Sequence, residues 1–198
     1  MSNPSDNDVV NMHVVNVTTP AQYFHLLRRQ MVRNYRKPLI VASPKILLRH
    51  NKCVSTLVED MGLNSKFEPV LDDREANKEL ANIMLFCSGK IYYDLQMEIS
   101  KRKLVNYAVI RIEELCPFPK TQIMEIVGKY KNIKQMYYVQ EEHQNQGAWT
   151  YVQPRLDHTL DKKIEYIGRE PSACPATGVS KYHKEEVEAL FNNIFANK

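Results

Sequence analysis

The feature that most constrains the fold is a repeated order of a short apolar run, a turn and a segment with helical periodicity. This unit occurs three times in succession, with apolar runs at Ile83–Cys87, Tyr107–Ile112 and residues 135–140. Short apolar runs without polar alternation are typical of strands that are buried on both faces. The sequence therefore predicts the α/β class, with a mostly parallel sheet and helices on both of its faces.

The segments on either side of the three units extend this pattern. Residues 14–17, 38–42, 67–71 and 164–168 are predicted strands, and the run PLIVA at 38–42 is predicted to be buried. Thr19 followed by Pro20 predicts the start of a helix, because threonine caps free helix N–H groups and proline fits the first turn. That helix should end before Pro38. Two apolar helix faces are predicted: Tyr23, Leu26, Leu27 and Met31 in this helix, and Val187, Leu190, Phe191 and Ile194 in a closing helix.

Charge and composition exclude several classes of protein. The 27 basic and 23 acidic residues leave a net charge of +4, which is too small for the basic surface of a nucleic-acid binder. No apolar stretch approaches the roughly 20 residues that span a bilayer, and the polar start has no presequence pattern. Residues 1–8 are predicted to be disordered. Cys87 lies within an apolar run, which predicts a buried free thiol rather than a disulfide.

Ser88, Gly89 and Lys90 form the first candidate site, at the turn from a predicted strand into a helix. Free N–H groups at a helix start and a nearby lysine can hold an anion. The segment lacks the spacing of a phosphate loop or of a dinucleotide site. A plain turn is therefore favoured over an anion site at these residues.

Glu141, Glu142 and His143 form the second candidate site, at the end of a predicted strand. Ligands collect at the carboxyl ends of strands in open α/β sheets, and a carboxylate beside an imidazole suits acid–base chemistry or a metal. Neighbouring strand residues point to opposite faces, so Glu141 and Glu142 should not converge. An interface role is favoured over catalysis. The residues by themselves predict no catalytic, cofactor-binding or metal-binding residue.

Several long segments resemble one known family in the same order along the chain. TPAQYFHLLRRQ at residues 19–30 and RKPLIVASPKILLRH at 36–50 are similar to the junction segment of 2-oxoglutarate dehydrogenases. CSGKIYYDL at 87–95, RIEELCPFP at 111–119, QEEHQNQGAWTYVQPR at 140–155 and GREPSACPATG at 168–178 resemble their C-terminal domain. RRQMVRNYRKPLIVASPK and EELCPFP are closest to the 2-oxoadipate branch, whereas EEHQNQG resembles the 2-oxoglutarate branch, so both substrates stay open.

The resemblance implies a large homodimeric enzyme that uses thiamine diphosphate and Mg²⁺. Such an enzyme decarboxylates 2-oxoglutarate or 2-oxoadipate and transfers the acyl group to a lipoyl acyltransferase component. It would work in the mitochondrial matrix, in the tricarboxylic acid cycle or in lysine degradation. Residues 1–45 would end a pyrimidine-binding domain, and residues 46–198 would form a transketolase-type C-terminal domain.

The family's cofactor motifs have no matching positions in this sequence. The GDG motif with its later asparagine, the pyrimidine-binding glutamate and the histidine-bearing segment are all absent. The resemblance therefore implies that upstream domains of a parent enzyme hold the cofactors, and that this chain is structural, dimerising and inactive alone. The alternative hypothesis is a stand-alone regulatory module that binds the full-length enzyme, or an acyl-CoA or nucleotide near Ser88–Lys90.

Overall fold

The computed structural model describes residues 10–196, so the disorder predicted for residues 1–8 lies outside the described residues. Within the described residues, eight strands form two sheets. They are β1 (His13–Val15), β2 (Leu39–Val41), β3 (Val70–Leu71), β4 (Ile83–Cys87), β5 (Tyr107–Ile112), β6 (Glu114–Cys116), β7 (Gln135–His143) and β8 (Glu165–Arg169).

The larger sheet has the strand order β3-β5-β4-β7-β8. β4 pairs in parallel with β5 on one side and with β7 on the other, and β7 pairs in parallel with β8. The short strand β3 is the antiparallel edge. This confirms the predicted α/β class with a mostly parallel sheet, and the bounds of β4 and β5 match the predicted runs.

Residues 10–196 also contain five α-helices and one 3-10 helix, and the last α-helix follows the final strand. The α-helices are α1 (Pro20–Val32), α2 (Ile91–Arg102), α3 (Lys120–Val127), α4 (Trp149–Leu160) and α5 (Ser180–Ala196), and the 3-10 helix is Lys45–Arg49. Thr19 caps α1 as predicted, because its Oγ1 accepts a hydrogen bond from the backbone N of Gln22 at 3.2 Å. No helix among residues 10–196 is both long enough and apolar enough to cross a membrane.

Helices cover both faces of the larger sheet, as the sequence predicts. On one face, Phe86 and Ile110 pack in a cluster with side chains from α3 and α4, among them Ile123 and Leu156. On the other face, the strand residues pack with α2 and α5. The buried members there include Leu85, Cys87, Val109, Leu95, Leu190 and Ile194. Cys87 is fully buried and free, as predicted, and burial raises the pKa of its thiol.

The smaller sheet departs from the sequence prediction. It has the order β2-β1-β6, and β6 follows β5 after a single residue, where the predicted pattern has only a turn. The prediction that residues 38–42 form a buried strand is wrong in its burial, since Ile40 is 53% exposed. β2 is an edge strand of a small sheet, so one of its faces meets solvent.

The predicted apolar face of α1 is also mostly exposed. Leu26 is fully buried, but Tyr23, Leu27 and Met31 are exposed, with Met31 at 73%. The buried face of α1 carries polar side chains instead, among them Gln22 and His25. The helix therefore presents much of its apolar surface away from the core of this chain.

Candidate functional site

A cavity of about 690 Å³ lies at the carboxyl ends of β4, β7 and β8. The chain leaves β4 through α2 toward β5 on one side, while β7 lies on the other side of β4. This is a topological switch point, where open α/β sheets bind ligands. The lining brings together five of the six predicted site residues: Ser88, Lys90, Glu141, Glu142 and His143.

Lys90 lies between two carboxylates. Its Nζ is 2.8 Å from Asp94 Oδ2 and 3.0 Å from Glu141 Oε1. Burial opposes the positive charge of Lys90, but the hydrogen bonds to Asp94 and Glu141 outweigh burial and raise the pKa of the ammonium group. The ammonium group is thus charged and already paired. An anion that binds at Lys90 would compete with Asp94 and Glu141.

Ser88 and Gly89 hold the turn that leads into α2. The Ser88 hydroxyl donates a hydrogen bond of 2.9 Å to the carbonyl of Ile112, so it ties β4 to the end of β5. Gly89 has a φ of 79°, in the left-handed region that favours glycine. A Cβ at Gly89 would lie 2.5 Å from Nδ2 of Asn16. Both residues therefore have structural reasons for their positions, and the plain turn, favoured over an anion site, stays the prediction.

Glu141 and Glu142 both contribute to the lining of this cavity, but their carboxylates have different neighbours. Glu141 binds Lys90, whereas Glu142 Oε2 lies near Gly147 on the side of Gln140 and also lines a second hollow that does not include Glu141. That the two carboxylates do not act on one bound group stays a prediction.

His143 is oriented by the backbone of the next loop. Its Nδ1 lies 2.8 Å from the carbonyl oxygen of Glu170, which can only accept a hydrogen bond. Nδ1 therefore carries a proton, and in the neutral ring Nε2 holds the lone pair. His143 is only 8% exposed, so its position depends on the loop after β8.

The polar loop after β7 is held by Gln140. The buried Gln140 amide donates to the carbonyls of His143 and Gln146 at 2.9 and 2.8 Å, and it accepts from the backbone N of Trp149 at 3.0 Å. Gly147 has a φ of 62°, and a Cβ there would lie 2.9 Å from Gln140 Oε1. This loop brings the end of β7 to the start of α4.

Arg169 at the end of β8 is a second cation in the cavity that was not among the predicted site residues. Its Nη1 lies 3.4 Å from Glu186 Oε2, and its Nη2 donates to Nδ1 of His183 at 2.8 Å. Thr177 Oγ1 donates to the same Glu186 oxygen at 2.7 Å. Arg169 follows a predicted strand. Its place at the carboxyl end of that strand could have marked it as a candidate, as it did for Glu141.

The cavity combines paired charges with an imidazole, which suits binding or interdomain contact. Among residues 10–196 no group of three or more His, Cys, Asp and Glu side chains could hold a metal ion. The described residues therefore do not fit a bound Mg²⁺, and no catalytic step through a metal–cofactor centre is assigned to them.

Comparison with known proteins gives a consistent result. The family described as 2-oxoglutarate dehydrogenase C-terminal matches residues 55–195. The 2-oxoadipate dehydrogenase complex component E1 of Rattus norvegicus is 47% identical over 97% of the chain, and that of Homo sapiens is 48% identical over 96%. The 2-oxoglutarate dehydrogenase E1 component of Brucella anthropi is 39% identical over 94%.

These relatives are much longer than the chain. The match spans 21% of the rat and human proteins and 20% of the bacterial one. The chain therefore corresponds to about a fifth of the length of the curated relatives that it matches.

Proposed function

The chain belongs to the 2-oxoglutarate dehydrogenase C-terminal family, and from this premise we propose that it is the structural C-terminal part of a 2-oxoadipate dehydrogenase E1 component. It matches the C-terminal part of E1 oxidoreductase components of 2-oxoacid dehydrogenase complexes. The parent enzyme would decarboxylate its 2-oxoacid with thiamine diphosphate and Mg²⁺ and transfer the acyl group to lipoyl groups. The chain alone would be inactive.

Sequence identity to the relatives favours 2-oxoadipate over 2-oxoglutarate as the substrate of the parent enzyme. The rat and human 2-oxoadipate components are 47% and 48% identical to the chain, against 39% for the bacterial 2-oxoglutarate component. On this reading the parent would act in lysine degradation, in the mitochondrial matrix, as a homodimer. Residues 1–45 would complete the pyrimidine-binding domain, and residues 46–198 would form the C-terminal domain.

One structural observation carries the proposed role: a set of exposed apolar side chains on α1 and on the segment that follows β2, here called the exposed band. The band consists of Tyr23, Phe24, Leu27, Met31, Leu48, Val54, Leu57, Val58 and Leu63. Val58 and Leu63 are 86% and 99% exposed, and Tyr23 and Leu48 line one shared hollow. Large exposed apolar patches mark interaction surfaces. The observation favours a docking segment over the stand-alone regulatory module.

The proposed occupant of this band is the upstream part of the parent polypeptide, or the same part of the second protomer. Relatives place about four-fifths of their length outside the matched region. α1 and Leu48 belong to the segments that resemble the junction, and residues 54–63 follow directly, so contact with such a part is expected here. The cavity at the switch point would then be a site near this contact, with Glu141, Glu142 and His143 as interface positions.

A complementation experiment tests the proposal. The human 2-oxoadipate dehydrogenase E1 component would be shortened before its matched C-terminal region and co-expressed with the 198-residue chain. We expect turnover of 2-oxoadipate, with thiamine diphosphate and Mg²⁺, only when both parts are present. Turnover by the chain alone would contradict the inactive-alone proposal, and no turnover by the pair would contradict the docking role.

A pair of variants makes the test specific for the apolar band. The double variant Leu27→Asp, Met31→Asp should remove complementation, because it places two charges in the proposed contact. Lys131→Asp, on the exposed loop between α3 and β7, is the matched control and should complement like the unaltered chain. Equal complementation by both variants would exclude the band as the contact.

A further inference from the structure

A second cavity, of about 290 Å³, lies between the start of α1, residues 52–75 and helix α2. α1 contributes Gln22 and His25, α2 contributes Tyr92 and Gln96, and β5 contributes Arg111. It shares no lining residue with the cavity at the switch point. Its volume accommodates about ten water-sized groups.

Arg111 is a buried cation that forms no direct ion pair among residues 10–196, although its positive charge acts on the carboxyl group of the buried Glu113. It is 6% exposed, its Nη1 donates to Thr18 Oγ1 at 3.0 Å, and its guanidinium carbon lies 3.8 Å from the ring centroid of Tyr92. Its Nε is buried and has no hydrogen-bond partner. Among residues 10–196 no carboxylate forms an ion pair with it within 4.0 Å. An unpaired buried guanidinium is costly, so the site favours an added anion.

The two buried acids of this region make other contacts. Glu113 accepts hydrogen bonds from the backbone N and from Oγ1 of Thr18, and its complete burial raises the pKa of the carboxyl group. Asp73 Oδ2 accepts from Gln96 Nε2 at 2.9 Å and from the backbone N of Val109 at 2.8 Å. Neither carboxylate lies at ion-pair distance from Arg111. Arg111 therefore has no carboxylate as a direct ion-pair partner among residues 10–196.

His25 provides a second unpartnered group in the same cavity. It is 3% exposed, and its Nε2 lies 2.8 Å from the carbonyl oxygen of Asp60, which must accept. Nε2 therefore carries the proton, and Nδ1 of the neutral ring holds a lone pair. Nδ1 is buried and has no hydrogen-bond partner. A buried acceptor of this kind requires a donor.

We propose that this cavity binds a small organic carboxylate that also carries a hydrogen-bond donor. The carboxylate would bind to the Arg111 guanidinium, which can donate two parallel hydrogen bonds. A hydroxyl or ammonium group of the ligand would donate to Nδ1 of His25. Among the described residues that line this cavity, three exposed side chains are basic and three are acidic: Lys52, Lys66 and Arg74, and Glu59, Glu68 and Glu75. These charges balance, so the choice of ligand would depend on the buried groups.

Ligand-induced stabilisation of the 198-residue chain tests the proposal. L-lactate, L-alanine, acetate and inorganic phosphate are the probes, each at up to 20 mM, about the concentration range for weak small-ligand binding. We expect L-lactate or L-alanine to raise Tm by a few degrees, and acetate to raise it less. The difference between the Tm shifts with L-lactate and with L-alanine distinguishes a hydroxy acid from an amino acid as the preferred ligand. No shift with any carboxylate, or a larger shift with phosphate, would overturn the proposal.

Two variants and one control locate the binding. Arg111→Met should abolish the shift while keeping the chain folded, because a similar-sized apolar residue replaces an unpaired buried cation. His25→Phe should keep the small shift with acetate and remove the added shift with the donor-bearing ligand. Arg155→Met, at an arginine stacked 3.6 Å above Tyr151 and outside the cavity, should respond like the unaltered chain. A shift that survives in Arg111→Met would overturn the proposal, and so would loss of the shift in Arg155→Met.

Discussion

At the scale of single residues, the buried histidine of β1 shows how pairing sets protonation. His13 is fully buried; its Nδ1 lies 3.1 Å from Glu114 Oε1, and Nη1 of Arg33 donates to its Nε2 at 2.8 Å. Arg29 also holds Glu114, through Nη2 at 2.6 Å. Burial, with the positive charges of Arg33 and Arg29, lowers the pKa of His13, although Glu114 acts in the opposite direction. The folded state therefore favours the neutral ring.

This arrangement predicts a loss of stability in mild acid. The unfolded His13 takes up a proton near its ordinary pKa of about 6.5, whereas the folded ring resists it. The stabilisation is complete above that pH and declines as the pH falls from 6.5 through the lower folded pKa. Urea unfolding between pH 7.5 and 5 should show this decline, and His13→Gln should flatten it. An unchanged slope in His13→Gln would contradict the assignment, while His158→Gln, at a largely solvent-accessible helix position, serves as the control.

The same scale shows what the sequence could say about the site. Ser88, Lys90, Glu141, Glu142 and His143 could be predicted because strand ends in an α/β sheet meet at one edge. The spacing of Lys90 and Asp94 also indicates an i,i+4 pair on one helix face. The contact of Lys90 with Glu141 could not be predicted, because it depends on how α2 packs beside the end of β7. The orphan nitrogens of Arg111 and His25 likewise have no signal in the sequence.

At the scale of elements, the start of α1 depends on one side chain. Thr19 has extended backbone angles, and its Oγ1 accepts from the backbone N of Gln22. Thr19→Ala should lower the free energy of unfolding by about 1 kcal/mol, because a helix N–H loses its acceptor. Thr19→Ser keeps the acceptor and should cost less. Chemical unfolding measures both, and equal losses in the two variants would show that the cap does not stabilise the helix.

Elements with one clear periodicity were predictable, and those decided by distant contacts were not. β4 and β5 are continuous apolar runs in the centre of the larger sheet, and their bounds agree with the prediction. Helical periodicity predicts that the apolar face of α1 lies in the core. In the structure, polar side chains on the buried face of α1 form hydrogen bonds with residues between β2 and β3 instead. Gln22, for example, accepts from the backbone N of Glu68 at 3.0 Å. The apolar residues that periodicity places in the core, Tyr23, Leu27 and Met31, are therefore part of the exposed band.

At the scale of the whole molecule, two kinds of apolar surface exist, and they should respond differently to charge. Leu190 on α5 is 3% exposed and belongs to the apolar cluster on the face of the larger sheet that α2 and α5 cover. Val58 and Leu63 lie in the exposed band, with almost no surface buried by this chain. If the band contacts another part of a parent enzyme, its apolar residues contribute to that contact rather than to the stability of the chain itself.

Charged substitutions separate these contributions. Val58→Lys with Leu63→Lys should change the free energy of unfolding by less than about 0.5 kcal/mol, because neither side chain leaves a packed core. The same pair should weaken concentration-dependent self-association, since it interrupts the exposed apolar surface. Leu190→Lys should lower the free energy of unfolding by several kcal/mol, or prevent folding, because it buries an unpaired charge. Sedimentation and urea unfolding measure the two effects separately. A large loss of stability in the band variant would mean that residues 54–63 pack into the core in solution, and the docking role of the band would then have to be abandoned.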